Sequence, residues 1–290
     1  PFFTYWWKNL NMVCLLCKSE RTKLIGKLKP TYNWVKNPVK ELEFEVYDCE
    51  VCDSRFVYPN DVPKDFYDFV FKSTELYRSH LEFAMKLIKF DDPSWALLGL
   101  GHPYYGLLEY LKGKTGLEIL DIGCSYGSVV YIMSLLGHKA IGIDVSNQPV
   151  QFAKGIFGEA FYFTTIEELI EKNPALKFDL VTAIEVVEHL SNPMEFFKNC
   201  LSALKTGGSF LITTPNKDYK QYSEGRKQRE LLENKIWHFD NPPVHVAIYG
   251  EKAMRYIAEQ NNCKVEFITC PGLSQITGNL NLVAVFTKNE

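Results

Sequence analysis

No stretch of the 290-residue chain approaches the roughly 18 to 20 consecutive apolar residues that a membrane-spanning helix requires. The opening PFFTYWWKNLN lacks the apolar core and the small-residue cleavage site of a secretion signal, and the eleven residues before Met12 are given no role. From these absences the expectation is a soluble, cytoplasmic protein without a membrane partner. An excess of positive charge is missing too: 32 Lys and Arg stand against 35 Asp and Glu, a net charge of −3. The chain therefore has no general attraction to a phosphate backbone, and nucleic acid is a disfavoured partner. Internal repeats and low-complexity tracts are also lacking.

What is present suits two unequal domains, since a domain takes about 100 to 200 residues. Eight cysteines in a reducing compartment argue against a disulfide framework. Four of them form the pairs Cys14-Leu-Leu-Cys17 and Cys49-Glu-Val-Cys52, which suit tetrahedral Zn²⁺ because each pair presents two thiolates from one tight turn. The segment between them is short and polar, and fewer than about 50 residues rarely bury enough to hold a shape without a cross-link. A structural zinc ion on Cys14, Cys17, Cys49 and Cys52 is therefore expected, in a ribbon-like module over 12–60. Cys124, Cys200, Cys263 and Cys270 fall within strand, turn or helix patterns and read as core.

Residues 61–113 read as a helical linker or cap. Phe66, Phe69, Val70, Leu76, Tyr77, Leu81, Met85 and Ile88 recur at a helical period, and a second helix follows Pro103. From Leu117 short apolar strands alternate with helices, the signature of a parallel α/β sheet, here assigned to 114–290. Helix punctuation agrees: Thr165-Ile-Glu-Glu168 is a capping box, and Asn192 precedes Pro193 at a first helical position.

The turn after the first of these strands reads Leu120-Asp121-Ile122-Gly123-Cys124-Ser125-Tyr126-Gly127. Its glycines let the backbone approach a ligand, and the helix N-terminus offers unpaired N–H groups. A dinucleotide-binding turn would need glycine at 125 and 128, where this chain has Ser125 and Ser128, so the diphosphate fingerprint is incomplete. Asp121, two residues before the first glycine, instead suits a ligand carrying an ammonium group, as S-adenosylmethionine does. Asp144 closes the second strand, where a carboxylate can accept from both hydroxyls of a ribose.

LDIGCSYG, IGIDVS, FDLVTAIEVVEHL and GGSFLITTPN, in this order and spacing, resemble the class I S-adenosylmethionine-dependent methyltransferases. The resemblance runs from about Leu117 onward. It implies a Rossmann-like α/β fold with a seven-stranded sheet in the order 3-2-1-4-5-7-6, strand 7 antiparallel, beside the small zinc-ribbon-like module. It further implies that Asp121 and Gly123 face the methionine portion of the cofactor, Asp144 its ribose, and Thr165 and Ile166 the adenine edge. Cys124, Gly127, Val145 and Glu185 complete the expected cofactor-binding set. Ser125, where glycine is frequent in the family, implies an altered backbone approach. YDCEVCDSRFVYP similarly resembles the second knuckle ahead of certain bacterial methyltransferases acting on nucleotide-linked sugars and other small metabolites. The glycine that often follows each pair is replaced by Lys18 and Asp53.

Glu185-Val-Val-Glu188-His189 follows the fourth strand of the sheet, whose C-terminal end borders the cofactor in this topology. Glu188 and His189 are candidate general bases for a hydroxyl acceptor. With Glu185 and His245 they could instead hold a divalent cation that acidifies it. E-x-x-E-H with a distant histidine resembles the metal sites of quinone-biosynthesis O-methyltransferases and of small-RNA 2′-O-methyltransferases, although the same motif also occurs in class I enzymes that only shape a pocket with it. The excursion from Asn216 to Val246, with Tyr219, Tyr222, Trp237 and His238, is long enough to be functional or mobile; its charged stretch GRKQRELLENK reads as a solvated helix and its end HFDNPPVH, from His238 to His245, as a candidate lid. The expected activity is methyl transfer to a small hydroxylated or quinone-like acceptor or a sugar. An RNA-modifying enzyme and a non-catalytic, cofactor-sensing adaptor stand as alternatives.

Overall fold

The computed structural model describes residues 12–28, 43–60, 75–89, 92–99, 101, 103–218, 244–269 and 281–289. Three strands come first: β1 (Thr22–Leu28), β2 (Phe44–Cys49) and β3 (Arg55–Tyr58). Helices α1 (Glu75–Leu87), α2 (Pro93–Gly99) and α3 (Pro103–Leu111) lead into the alternating region. That region runs β4 (Glu118–Ile122), α4 (Ser128–Leu135), β5 (Lys139–Asp144), α5 (Asn147–Phe157), β6 (Phe161–Phe163), α6 (Ile166–Lys172) and β7 (Phe178–Ile184). It continues with α7 (Pro193–Ser202), β8 (Leu204–Pro215), β9 (Ala247–Ile248), α8 (Glu251–Gln260), β10 (Cys263–Phe267) and β11 (Asn281–Lys288).

The seven-stranded sheet has the order β6-β5-β4-β7-β8-β11-β10. Counted from β4 this is 3-2-1-4-5-7-6. Strands β6, β5, β4, β7 and β8 are mutually parallel, whereas β11 runs antiparallel to both β8 and β10. Each central strand is apolar on both faces, as a sheet covered on both sides demands. Leu120, Ile122, Val181, Ala183, Phe210 and Ile212 point into one core. Their neighbours Ile119, Leu180, Ile184 and Leu211 point into the other, with α4 supplying Val129, Val130, Ile132 and Met133.

The first core does not stop at the large sheet. It continues through Tyr249, Met254 and Ile257 into Leu16 of the first cysteine turn and Phe44, Val46, Phe56 and Val57 of the N-terminal strands. Strand β9 belongs to the smaller sheet, of order β1-β2-β3-β9, and is laid antiparallel on β3 with Arg55 opposite Ile248 and Phe56 opposite Ala247. A two-residue strand from the second half of the chain thus completes the sheet of the first sixty residues.

The helical expectations hold in kind but not in phase. Among the α1 residues whose side chains are described, which exclude Leu76 and Tyr77, Ala84 and Leu87 are buried with Phe83 packed beside them, while Met85 is 57% and Ile88 61% exposed. Residues 83, 84 and 87 share a helix face that 85 does not, so the buried stripe lies about 100° from the expected one. Phe66, Phe69 and Val70 lie outside the described residues. At α6, Thr165 caps as expected, its Oγ1 accepting the Glu168 N–H at 3.2 Å. Asn192 precedes Pro193 of α7, but its side-chain amide donates to Glu195 instead of capping the helix. Among the described residues no helix is long and apolar enough to cross a membrane.

Candidate active site and cysteine cluster

At the C-terminal end of β4 the chain turns sharply. Gly123 and Gly127 take φ of 76° and 79°, in the left-handed region that disfavours side chains. Space is closed as well: a Cβ on Gly123 would lie 2.6 Å from Val186, and one on Gly127 2.6 Å from Phe161. Ser125 occupies the same left-handed region at φ 48°. It is held there because its N–H donates to Asp144 Oδ2 at 2.9 Å. The serine therefore adopts the conformation glycine would take, at the cost of some strain.

Asp144 ends β5 and is nearly buried. Its second oxygen, Oδ1, accepts the Ser146 N–H at 2.8 Å, so two backbone donors fix the carboxylate. Burial still raises its pKa above the ordinary carboxylate value. Asp121 is 3% exposed and accepts from Thr182 Oγ1 at 2.6 Å. Burial outweighs that hydrogen bond, and with the nearby Asp144 charge it pushes the Asp121 carboxyl up to about 7. Asp121, Gly123, Cys124, Ser125 and Tyr126 line a cavity of about 40 Å³, closed by His80 of α1 and Tyr104 of α3. The helices of 61–113 thus contribute to the site through His80 and Tyr104, two residues the sequence did not single out.

The other expected cofactor residues scatter. Val145 is 60% exposed beyond Asp144, whereas Ile166 is buried in the core and the Thr165 hydroxyl is engaged as a helix cap. Cys124 and Cys200 are buried, as core cysteines should be; Cys263 is only half-buried, and Cys270 lies outside the described residues.

Across the end of β7, Glu188, His189 and His245 each offer a ligand atom within 4.8 Å of the others. The His189 and His245 ring centroids are 5.0 Å apart. His189 Nδ1 contacts the Val244 carbonyl, which can only accept, so Nδ1 donates there. That Nε2 lies 4.0 Å from Glu188 Oε1. Glu188 is fully buried; Oε2 accepts from Thr214 Oγ1 at 3.0 Å, and Oε1 has no hydrogen-bond partner among the described residues. Burial pushes its carboxyl up to about 8 and draws the His189 imidazole below its usual value. Glu185 stands apart from this trio. At φ 54° its carboxylate turns to Thr213 Oγ1 and Asn281 Nδ2, both at 2.9 Å. Tyr219, Tyr222 and Trp237 of the excursion, and residues 238–243 of the expected lid, lie outside the described residues.

The four paired cysteines converge. All four Sγ atoms lie within 4.8 Å of one another, with Cys14 to Cys52 at 3.6 Å and Cys17 to Cys49 at 3.4 Å. A tetrahedron with Zn–S of about 2.3 Å has sulfur–sulfur edges of about 3.8 Å. The two knuckles are built alike: Lys18 N–H returns to the Cys14 carbonyl and Asp53 N–H to that of Cys49. Lys18 and Asp53 take φ of 57° and 61°, the conformation in which glycine is often used. Ser54 Oγ sits 3.3 Å from Cys14 and 3.1 Å from Cys52. Hydrogen bonds, first from Cys52 and then, against the cost of burial, from Ser54, bring the Cys14 thiol down to about 5.

Comparison with known proteins agrees with this topology. The profile of a methyltransferase domain matches residues 103–267. The chain is similar to the ubiquinone biosynthesis O-methyltransferase of Bradyrhizobium sp. (strain ORS 278), 35% identical over 118 residues that cover 39% of this chain and 46% of that one. It is also similar to the enzyme of the same name from Aliivibrio fischeri (strain ATCC 700601 / ES114), 29% identical over 150 residues, covering 46% and 64%. The chain thus spans between about half and two thirds of the length of the relatives it matches. Among solved structures, the plantazolicin methyltransferase BpumL in complex with SAH aligns with a TM-score of 0.47 at 20% identity, covering 72% of this chain and 94% of that one. More than half of the chain, including every parallel strand of the large sheet, falls within the matched domain, and the protein belongs to the methyltransferase-domain family.

Proposed function

We propose that the protein transfers a methyl group from S-adenosylmethionine to a hydroxyl of a small, quinone-like or otherwise hydroxylated acceptor. The observation that carries this reading is the pairing of two sites at adjacent strand ends. Asp121 and Gly123 line a cleft for a cationic adenosyl ligand, with Asp144 bonded to Ser125 of its wall, and Glu188, His189 and His245 form a cluster across β7. The names of the similar ubiquinone biosynthesis O-methyltransferases support the acceptor class.

Asp144 has both carboxylate oxygens oriented by backbone donors, leaving lone pairs for two ribose hydroxyls. Asp121, ionised, would face the ammonium group of the methionine portion. When bound, the cofactor supplies the methyl group and a good leaving group, so the protein's work is alignment and removal of the acceptor proton. His189 is the group placed to take that proton, and the Glu188 carboxyl, 4.0 Å from its Nε2, steadies the resulting imidazolium once it is itself ionised.

The unpartnered Glu188 oxygen and the two nearby imidazoles also fit a divalent cation, which would lower the pKa of an acceptor hydroxyl. Glu185, engaged with Thr213 and Asn281, would orient the pocket from behind. The four cysteines fit structural Zn²⁺.

Calorimetric titration with S-adenosylmethionine and separately with NAD, with elemental analysis for zinc, tests the reading. Micromolar binding of the sulfonium cofactor alone is expected. Binding of NAD, or of neither, overturns it.

A further inference from the structure

One short segment serves both clusters. His245 belongs to the trio at the end of β7. The next residue, Val246, donates its N–H to the Glu188 carbonyl at 2.8 Å and accepts from the Val57 N–H at 3.0 Å. Ala247 and Ile248 then pair with Phe56 and Arg55 of β3, just beyond Cys52. Tyr249 is fully buried in the core that contains Cys14 and Cys52, and its hydroxyl has no hydrogen-bond partner among the described residues. A second tie runs from Lys217, past the end of β8, to Asp53 of the second knuckle at 2.8 Å. Among the described residues the cofactor side has no such ties: Asp121 is held by Thr182, and Asp144 by Ser125 and Ser146.

We propose that the four-cysteine module, when it holds its metal, positions His245 and Glu188 through the segment Val246–Tyr249, so that metal loading sets the acceptor side of the site and leaves the cofactor side unchanged. This rests on the reading of the four cysteines as a zinc site. The physical reason is the weakness of each part alone. A two-residue strand closes too few hydrogen bonds to hold itself, and the three strands it joins have too little core of their own without a cross-link. With the knuckles open, β3 loses its anchor, and Val246 keeps only its bond to Glu188. In this arrangement Tyr249 and Val246 are positioning residues, acting on the reaction through His245 and Glu188.

The test uses the full chain with ¹⁵N-labelled histidine, as wild type and as Cys17→Ser, which alters the most accessible of the four ligands. His138, whose Nδ1 accepts the Leu117 N–H at 3.3 Å on the cofactor half, is the internal reference. Cys17→Ser is expected to lose zinc and to shift or broaden the imidazole signals of His189 and His245. His138 should not move, and the Kd for S-adenosylmethionine should change by less than about threefold. Should the variant not fold, wild type stripped by a chelator and resupplied with one equivalent of Zn²⁺ must recover the two signals. Loss of zinc with His189 and His245 unmoved overturns the inference. So does a parallel shift of His138 with loss of cofactor binding, which would make the module a general support of the fold. A purified protein without zinc is a separate result: it removes the metal reading and takes the inference with it.

Discussion

Asp121 makes cofactor affinity depend on pH in a direction that can be worked out. Burial, only partly offset by the Thr182 hydroxyl and reinforced by Asp144, puts its carboxyl at about 7 in the free protein. Only the ionised form attracts the cationic ligand, so binding must release the proton that the free protein holds below that pH. The ionised fraction rises from roughly 3% at pH 5.5 to half at pH 7, so affinity should increase about 15-fold, close to 1.6 kcal/mol, over that interval. The sign for folding is opposite. A carboxyl with a raised folded-state pKa binds protons more tightly when folded, so the ligand-free protein gains stability as pH falls from about 7 toward 4 and loses it as pH rises. Asp121→Asn removes both dependences and leaves affinity about 10- to 100-fold below that of the ionised protein, the size of a lost charged hydrogen bond. Calorimetric titration with S-adenosylmethionine at pH 5.5, 6.2 and 7.0, in two buffers of different ionisation enthalpy, counts the released proton directly. A flat affinity in wild type, or the same slope in Asp121→Asn, refutes the reasoning.

Asp144→Asn leaves one of the Ser125 and Ser146 N–H groups facing an amide that cannot accept, and it removes the charge on the expected ribose contacts. Cofactor Kd should rise about 100-fold by calorimetry, and a change under threefold would mean the ribose lies elsewhere. His189→Ala should lower turnover far more than cofactor affinity, because His189 lies on the acceptor side; equal losses in kcat and binding would mark it as structural. Gly127→Ala combines a left-handed φ with a Cβ 2.6 Å from Phe161, so urea unfolding should show a loss of about 2 to 4 kcal/mol. An unchanged midpoint would show that the turn relaxes freely.

Much of the large sheet was legible because each strand is a short apolar run closed by Gly, Asp or a cap. The knuckles were legible from spacing alone. Their left-handed closing residues were not: Lys18 and Asp53 carry no signal for a conformation imposed by two sulfurs on one side and a returning hydrogen bond on the other. Sequence grouped Glu185 with Glu188, His189 and His245, and only three of the four converge. The cause is one residue of backbone at φ 54°, which turns the Glu185 carboxylate toward β8 and β11. The phase of α1 was misread because apolar residues occur around most of its circumference, and only packing against α4 and the β4–β11 core selects a stripe. Strand β9 could not be read at all: two residues, Ala247 and Ile248, gain their identity as a strand from a partner far away in the chain.

That distance also orders events during synthesis. Phe56 and Ala247, which face each other across β3 and β9, are separated by about 190 residues, which a ribosome adding roughly 5 to 20 per second needs some 10 to 40 s to make. During that interval all four cysteines have been made while the edge of β3 has no partner, and thiols and strand edge stand open to oxidation and to mispairing with other nascent chains. Early capture of a metal ion would protect the thiols and stiffen the edge until its last strand arrives, so zinc supply during growth should govern how much of this protein reaches its folded state.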